Sequence, residues 1–123
     1  MSAYPATPRE EHLSVLRANL APDNTGLWCP RGWVALSVAT HRALQRVDPN
    51  YKIVGIKEKF GRLVFSADSY TPQARAIITY AENLSCHICQ NCGAPDAGSV
   101  TAGWIATLCD GCTVYPSEPR RGY

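Results

Sequence analysis

Tyr51-Lys52-Ile53-Val54-Gly55-Ile56-Lys57-Glu58-Lys59-Phe60-Gly61-Arg62-Leu63-Val64-Phe65-Ser66-Ala67 commits the chain to a mixed architecture. Two runs rich in Ile, Val, Tyr and Phe, Tyr51 to Lys59 and Arg62 to Ala67, flank Phe60-Gly61, and this pattern predicts a β-hairpin. Upstream, Asp48-Pro49-Asn50 stops a helix predicted over 33–47, where Trp33, Leu36, Thr40, Leu44 and Val47 recur at helical spacing. Ala21 to Gly32 holds Pro22, Gly26, Pro30 and Gly32 and is expected to be a loop. Before it, Glu10 and Glu11 precede Leu13, Val15, Leu16 and Leu20, predicting a short helix over 9–20. Downstream, Thr71 and Pro72 have the chemistry of an N-cap and first helical position, and Ala74, Ile77, Ile78, Ala81 and Leu84 form one apolar stripe over 72–86. Two strands alone are marginal in water, so the helices must cover one face of the hairpin.

Further out lie Cys89-Gln-Asn-Cys92-Gly93 and Leu108-Cys109-Asp110-Gly111-Cys112, two C-x2-C pairs with sixteen residues between them. This spacing is that of a four-cysteine zinc site, in which each turn brings two sulfurs to one tetrahedral ion. Four thiolates leave no open coordination position, so one structural Zn²⁺ is expected on Cys89, Cys92, Cys109 and Cys112. Cys86 leaves an alternative open, because 86-89-92 is itself C-x2-C-x2-C; Cys89 and Cys92 are preferred because Gly93 follows them and Cys86 fits the preceding helix. Cys86 and Cys29 then read as packed thiols, and His87 as a neighbour able to replace a cysteine. Two disulfides or a redox pair are the other readings of such cysteines, but no βαβ context accompanies them. The expected fold class is α+β, a helix–helix–β-hairpin–helix domain over 9–86 followed by a C-terminal zinc ribbon over 87–113. Flexible segments are expected at 1–8 and 114–123.

The 123 residues suit one small domain with an attached module, and 46% apolar and 18% charged residues exclude a charge-rich disordered chain. No apolar run reaches a membrane span. The first eleven residues lack a basic patch followed by an apolar core, so the expected address is the cytoplasm, without a signal peptide. The formal charge of +2 is unevenly spread. Residues 1–75 carry ten basic and six acidic residues, and residues 76–123 two basic and four acidic. No Lys or Arg falls between Arg75 and Arg120, so the ribbon lacks the side chains that neutralise phosphates. Lys52, Lys57, Lys59 and Arg62 concentrate on the hairpin instead, where a solvated strand face is the plain reading. Catalysis has little to stand on. His12, His41 and His87 are the histidines, no Gly-rich phosphate loop is present, no carboxylate pair is placed for acid–base work, and no Asp-His set joins the knuckles as in metal-dependent nucleases. The chain is therefore expected to be no enzyme and to take no small-molecule substrate.

Several segments together resemble a family of small uncharacterised proteins of bacteria, prophages and phages, including those of actinobacteria. They are Gly32-Trp33, the hairpin from Tyr51 to Phe65, Ala81-Glu82-Asn83-Leu84-Ser85, Cys89-x-x-Cys92-Gly93-Ala94-Pro95, and Gly103-Trp104-Ile105-Ala106-Thr107-Leu108-Cys109-Asp110. The likeness spans roughly residues 29 to 112. It implies a phage or mobile-element accessory protein in a bacterial host, supports Cys89/Cys92 with Cys109/Cys112 as ligands, and brings no established activity. The expected function is binding of a host or phage protein, since Trp104, Ile105 and Tyr115 are unaccompanied by lysine and suit a protein interface. Ribbon core is the plain role for Trp104. The competing expectation is a nucleic-acid-binding regulator, with Lys52, Lys57, Lys59 and Arg62 on phosphates and Phe60 stacked on a base.

Overall fold

The computed structural model describes residues 8–101 and 104–113; the segments 1–7 and 114–123, with the expected flexible ends and Tyr115, lie outside the described residues. The elements run α1 (Pro8–Arg17), a 3-10 turn (Arg31–Trp33), α2 (Val34–Val47), β1 (Ile53–Lys59), β2 (Arg62–Ala67), α3 (Pro72–Ser85), β3 (Gly98–Thr101), β4 (Ile105–Leu108) and the one-turn α4 (Asp110–Thr113). The chain is thus mixed helix and strand, with two antiparallel hairpins, β1–β2 and β3–β4.

The first hairpin closes in two residues. Phe60 and Gly61 both have positive φ, 53° and 79°, which is the backbone of the turn whose twist matches two right-handed strands. Gly61 adopts this conformation freely. Phe60 does so against the contact between its Cβ and the backbone, a cost of about 1–2 kcal/mol. Lys59 pairs with Arg62, and the register then places Ile56 opposite Phe65 and Glu58 opposite Leu63. Ile56, Leu63 and Phe65 point into the core, where they meet Leu16, Trp33 and Leu44. Lys57 and Lys59 stand on the opposite face, both exposed.

The β2 edge of this hairpin is covered, and so is the β1 edge as far as Ile56. On the β2 side, side chains of α3 replace a neighbouring strand. The Leu63 N–H donates to Ser85 Oγ at 2.9 Å and the Phe65 N–H to Glu82 Oε2 at 2.9 Å. On the β1 side, the segment expected to be a plain loop runs parallel to the strand as an irregular third member, with bridges Leu20 to Ile53 and Leu27 to Ile56. Ile53 N–H donates to Asn19 O, Ala21 N–H to Ile53 O, Thr25 N–H to Val54 O, and Trp28 N–H to Ile56 O. Its Pro-, Asn- and Gly-containing sequence hides the pairing, because backbone bonds chiefly carry it, with Thr25 Oγ1 adding a bond to Val54 O at 3.3 Å. The expected α3 start holds: Thr71 Oγ1 accepts the Ala74 N–H at 3.1 Å, with Pro72 in the first turn.

A buried polar pair anchors the beginning of β1. His41 on α2 lies 2.5 Å from the Tyr51 hydroxyl, and Asn19 Nδ2 donates to Tyr51 O at 3.0 Å. Burial, aided by nearby Arg42, pulls the His41 pKa below its ordinary value of 6.5, so the fold favours the neutral ring. An unfolded chain therefore binds a proton that the native chain refuses. His41's contribution to stability is complete above about pH 6.5 and is lost as pH falls from there towards the native pKa, at up to about 1.4 kcal/mol per pH unit. Urea midpoints at pH 7.5 and 5.5 will check this. The drop should be smaller in His41→Asn than in the parent.

Candidate metal centre

The second hairpin brings the cysteines together. Cys89, Cys92, Cys109 and Cys112 place their sulfurs within 4.8 Å of one another. The Sγ atoms of Cys92 and Cys109 are 3.6 Å apart, and all six cysteines of the chain are free thiols. A disulfide would need about 2.05 Å. Four sulfurs about 2.3 Å from a tetrahedral ion would lie about 3.8 Å from one another, so the cluster has the spacing of a metal cage.

Each half is a tight turn. In the first, Gly93 N–H donates to Cys89 O at 2.8 Å and Cys92 N–H points at Cys89 Sγ at 3.4 Å, the amide-to-sulfur geometry that stabilises a thiolate. In the second, the single turn of α4 carries Cys112, with Thr113 N–H and Oγ1–H both on Cys109 O. Asn91 Nδ2 crosses between the halves to Cys112 Sγ at 3.2 Å.

The electrostatics suit a cation. Burial opposes ionisation of the Cys89 thiol, but backbone N–H groups of Cys92, Cys109 and Asn91 and the Cys112 thiol outweigh it and lower the pKa to about 6. The Ala94 N–H favours a Cys92 thiolate too, yet desolvation and the crowding of the other three sulfurs prevail and push it up to about 12. Clustered thiols cannot all ionise beside one another without a positive charge between them. A divalent ion at the centre of the four sulfurs would supply it.

Three ties join this module to the rest of the chain. Gly32 N–H donates to Gln90 O at 2.9 Å. The fully buried Trp33 donates Nε1–H to Ile88 O at 2.8 Å. Thr107, itself buried, donates its hydroxyl to Gly61 O at 2.6 Å, while its N–H meets Gln90 Oε1 and its C=O takes the Gln90 N–H. The Cys89–Cys92 knuckle, β4 and the β1–β2 turn are thus bonded in series.

The other singled-out residues fall in different places. Cys86 is half-buried outside the cluster, its sulfur near Glu82 O and Arg62 Nη1. Cys29 is tucked beside Ser37 Oγ at 3.3 Å, and desolvation pushes its thiol up to about 11 despite that hydrogen bond, which makes it a poor nucleophile. His87 is exposed and stands outside the cluster. Of the basic hairpin residues, Lys57 and Lys59 are exposed beside the turn, with Lys59 Nζ 5.9 Å from the Phe60 ring centre. Lys52 lies just before β1, at the far end from the turn, where its N–H bonds the Asp68 carboxylate. Arg62 is engaged by Asn83 Oδ1 at 2.9 Å and by Glu82 at 4.0 Å. Lys57, Lys59 and Arg62 thus lie near the turn, with Arg62 engaged by α3, and Lys52 stands apart from them. Phe60 is 71% exposed, and Trp104 and Ile105 are 40% and 39% exposed. No helix among the described residues is long and apolar enough to cross a membrane. No family model, curated protein or solved structure matches this chain.

Proposed function

We propose that the chain is a non-enzymatic accessory module that binds one structural zinc ion and docks on a host or phage protein. The observation that carries this reading is the series of bonds from the cysteine cluster through Thr107 to Gly61. A metal held by four thiolates has no vacant position for a substrate, so its contribution is mechanical: it fixes β4, and β4 fixes the turn. That turn keeps an exposed aromatic side chain in a costly backbone conformation, as binding sites often do. Trp104 and Ile105, on and beside β4, provide further apolar surface for a protein partner. The resemblance to small phage-associated proteins supports a bacterial cytoplasm as the setting.

A second reading, binding of nucleic acid through the hairpin, draws on the exposed pair Lys57 and Lys59 beside Phe60. It would rest on those three residues, since Arg62 is held by α3 and Lys52 is remote from the turn. Capture of tagged protein from host lysate, with and without nuclease, separates the two readings. A protein retained at stoichiometric level after nuclease supports the first; retention that nuclease abolishes supports the second.

Phe60→Asn tests the turn itself. Asparagine tolerates positive φ, so this variant should be more stable than the parent by about 1 kcal/mol in urea unfolding. It should at the same time lose the captured partner. Higher stability with undiminished capture would detach Phe60 from binding.

A further inference from the structure

A different face carries a more specific surface, beside Trp28. This tryptophan is 72% exposed, yet it is held in place. Its Nε1–H donates to Thr25 O at 3.3 Å, and its indole lies against Gly26, where any added Cβ would come within 2.1 Å of Nε1. A large aromatic side chain that is both exposed and fixed costs little entropy to bury, the usual property of an interface anchor. It walls a groove of about 500 Å³ that is lined also by Leu13 and Leu27 and by the charged residues Arg17, Lys57 and Glu58.

Two further observations say what the groove takes. The first is charge. Among the described residues neither Arg17 nor Lys57 has a carboxylate partner within salt-bridge distance. The Glu58 carboxylate is already engaged by the Gly61 N–H at 2.6 Å. The second is the backbone. Lys59 and Arg62 close the two-residue turn, so alternate residues of β1 turn their N–H and C=O away from β2. Ile56 shows this: its N–H reaches Gly26 O and its C=O takes the Trp28 N–H. Glu58 has the same parity. The parallel segment leaves β1 after Trp28, and Pro30 has no N–H to continue the pairing. The outward backbone groups of Glu58 therefore open onto the groove, past the end of the third strand.

We propose that this groove binds an extended acidic–apolar segment of a partner protein, which prolongs the irregular third strand along β1. One apolar side chain seats against Trp28, Leu13 and Leu27, and an Asp or Glu meets Arg17 and Lys57. Backbone bonds to Glu58 fix its direction. The offered strand edge favours a peptide over a nucleic acid, which has no amide to pair with it. The proposal rests on the protein-binding reading above but uses another face, so the two can fail separately.

The test is selection of a random 12-residue peptide library on the full chain with its metal bound. Enriched sequences should place Asp or Glu beside Leu, Phe or Trp. By fluorescence anisotropy, the best synthetic peptide should bind at least tenfold more weakly to Trp28→Ala and to Arg17→Glu/Lys57→Glu, both surface changes. It should bind unchanged to Phe60→Asn. No enrichment, enrichment of basic peptides, or binding indifferent to both groove variants overturns the proposal. Peptides lost by Phe60→Asn but kept by Trp28→Ala overturn the groove and leave the turn as the binding face. Tighter Trp28-dependent binding of (dT)15 would assign the groove to single-stranded nucleic acid, and Trp28-dependent self-association would assign it to a second copy.

Discussion

Cys109→Ser is expected to abolish binding of the proposed zinc ion and to unfold the β3–β4 hairpin while leaving α1, α2 and α3 in place. The reason is one of scale. Apparent zinc affinities of small four-ligand modules correspond to about 10–16 kcal/mol at neutral pH. Among its described residues the segment from Cys89 to Cys112 buries no large side chain; Cys89, Ala97, Ala106 and Thr107 are the buried ones. Without metal it has little else to hold it. The body is different, because Leu16, Trp33, Ile56, Leu63 and Phe65 pack together without the cysteines. Losing the ties at Gly32–Gln90, Trp33–Ile88 and Thr107–Gly61, at about 1 kcal/mol each, should lower the thermal midpoint by roughly 10–20 °C. Cys86→Ser is the control and should keep one equivalent of zinc by elemental analysis, since Cys86 stands outside the cluster. Equal loss of zinc from both variants would mean that the ligand set is drawn wrongly.

Trp33→Ala should be the most damaging single change away from the metal. Its side chain is fully buried, it sits where the 3-10 turn meets α2, and its indole N–H reaches Ile88 O at the start of the cysteine module. Large-to-small replacement of a buried tryptophan costs about 3–5 kcal/mol, a large share of the roughly 5–15 kcal/mol that holds a domain together. Trp33→Phe keeps most of the volume and should cost about 1–3 kcal/mol, chiefly from an Ile88 carbonyl left without its donor. Urea unfolding at constant zinc measures both. Trp28→Ala serves as reference and should change the midpoint little, because that ring is mostly in water.

The elements with strong local signals were legible in the sequence. Two β-rich runs around Phe60-Gly61, the Thr71-Pro72 helix start and the paired C-x2-C spacing each specify their structure within a few residues, and each forms. The third member of the hairpin was not. It pairs through backbone N–H and C=O groups over residues 19–28, and its Pro, Asn and Gly content reads as a turn whether or not a strand lies beside it. Spacing alone also does not show how Lys52, Lys57, Lys59 and Arg62 are placed: Lys52 stands at the end of β1 remote from the turn, and Arg62 is engaged by α3. Trp28 carried no sequence signal as a surface anchor, since burial decides its role and its loop has no periodicity from which to read burial. Nor does spacing reveal that Thr107 bridges the cysteine cluster to Gly61, 46 residues away in the chain.

The central claim is that the metal knuckle braces the β1–β2 turn. Amide hydrogen exchange of the full chain, followed before and after removal of zinc by a chelator, measures it most directly. Chelation should strip protection from Gln90, Gly93 and Thr107 and also from the turn at Gly61 and Arg62, while Ile53 and Ile56 keep theirs. Unchanged protection at the turn, with the cysteine module fully exchanged, would contradict it.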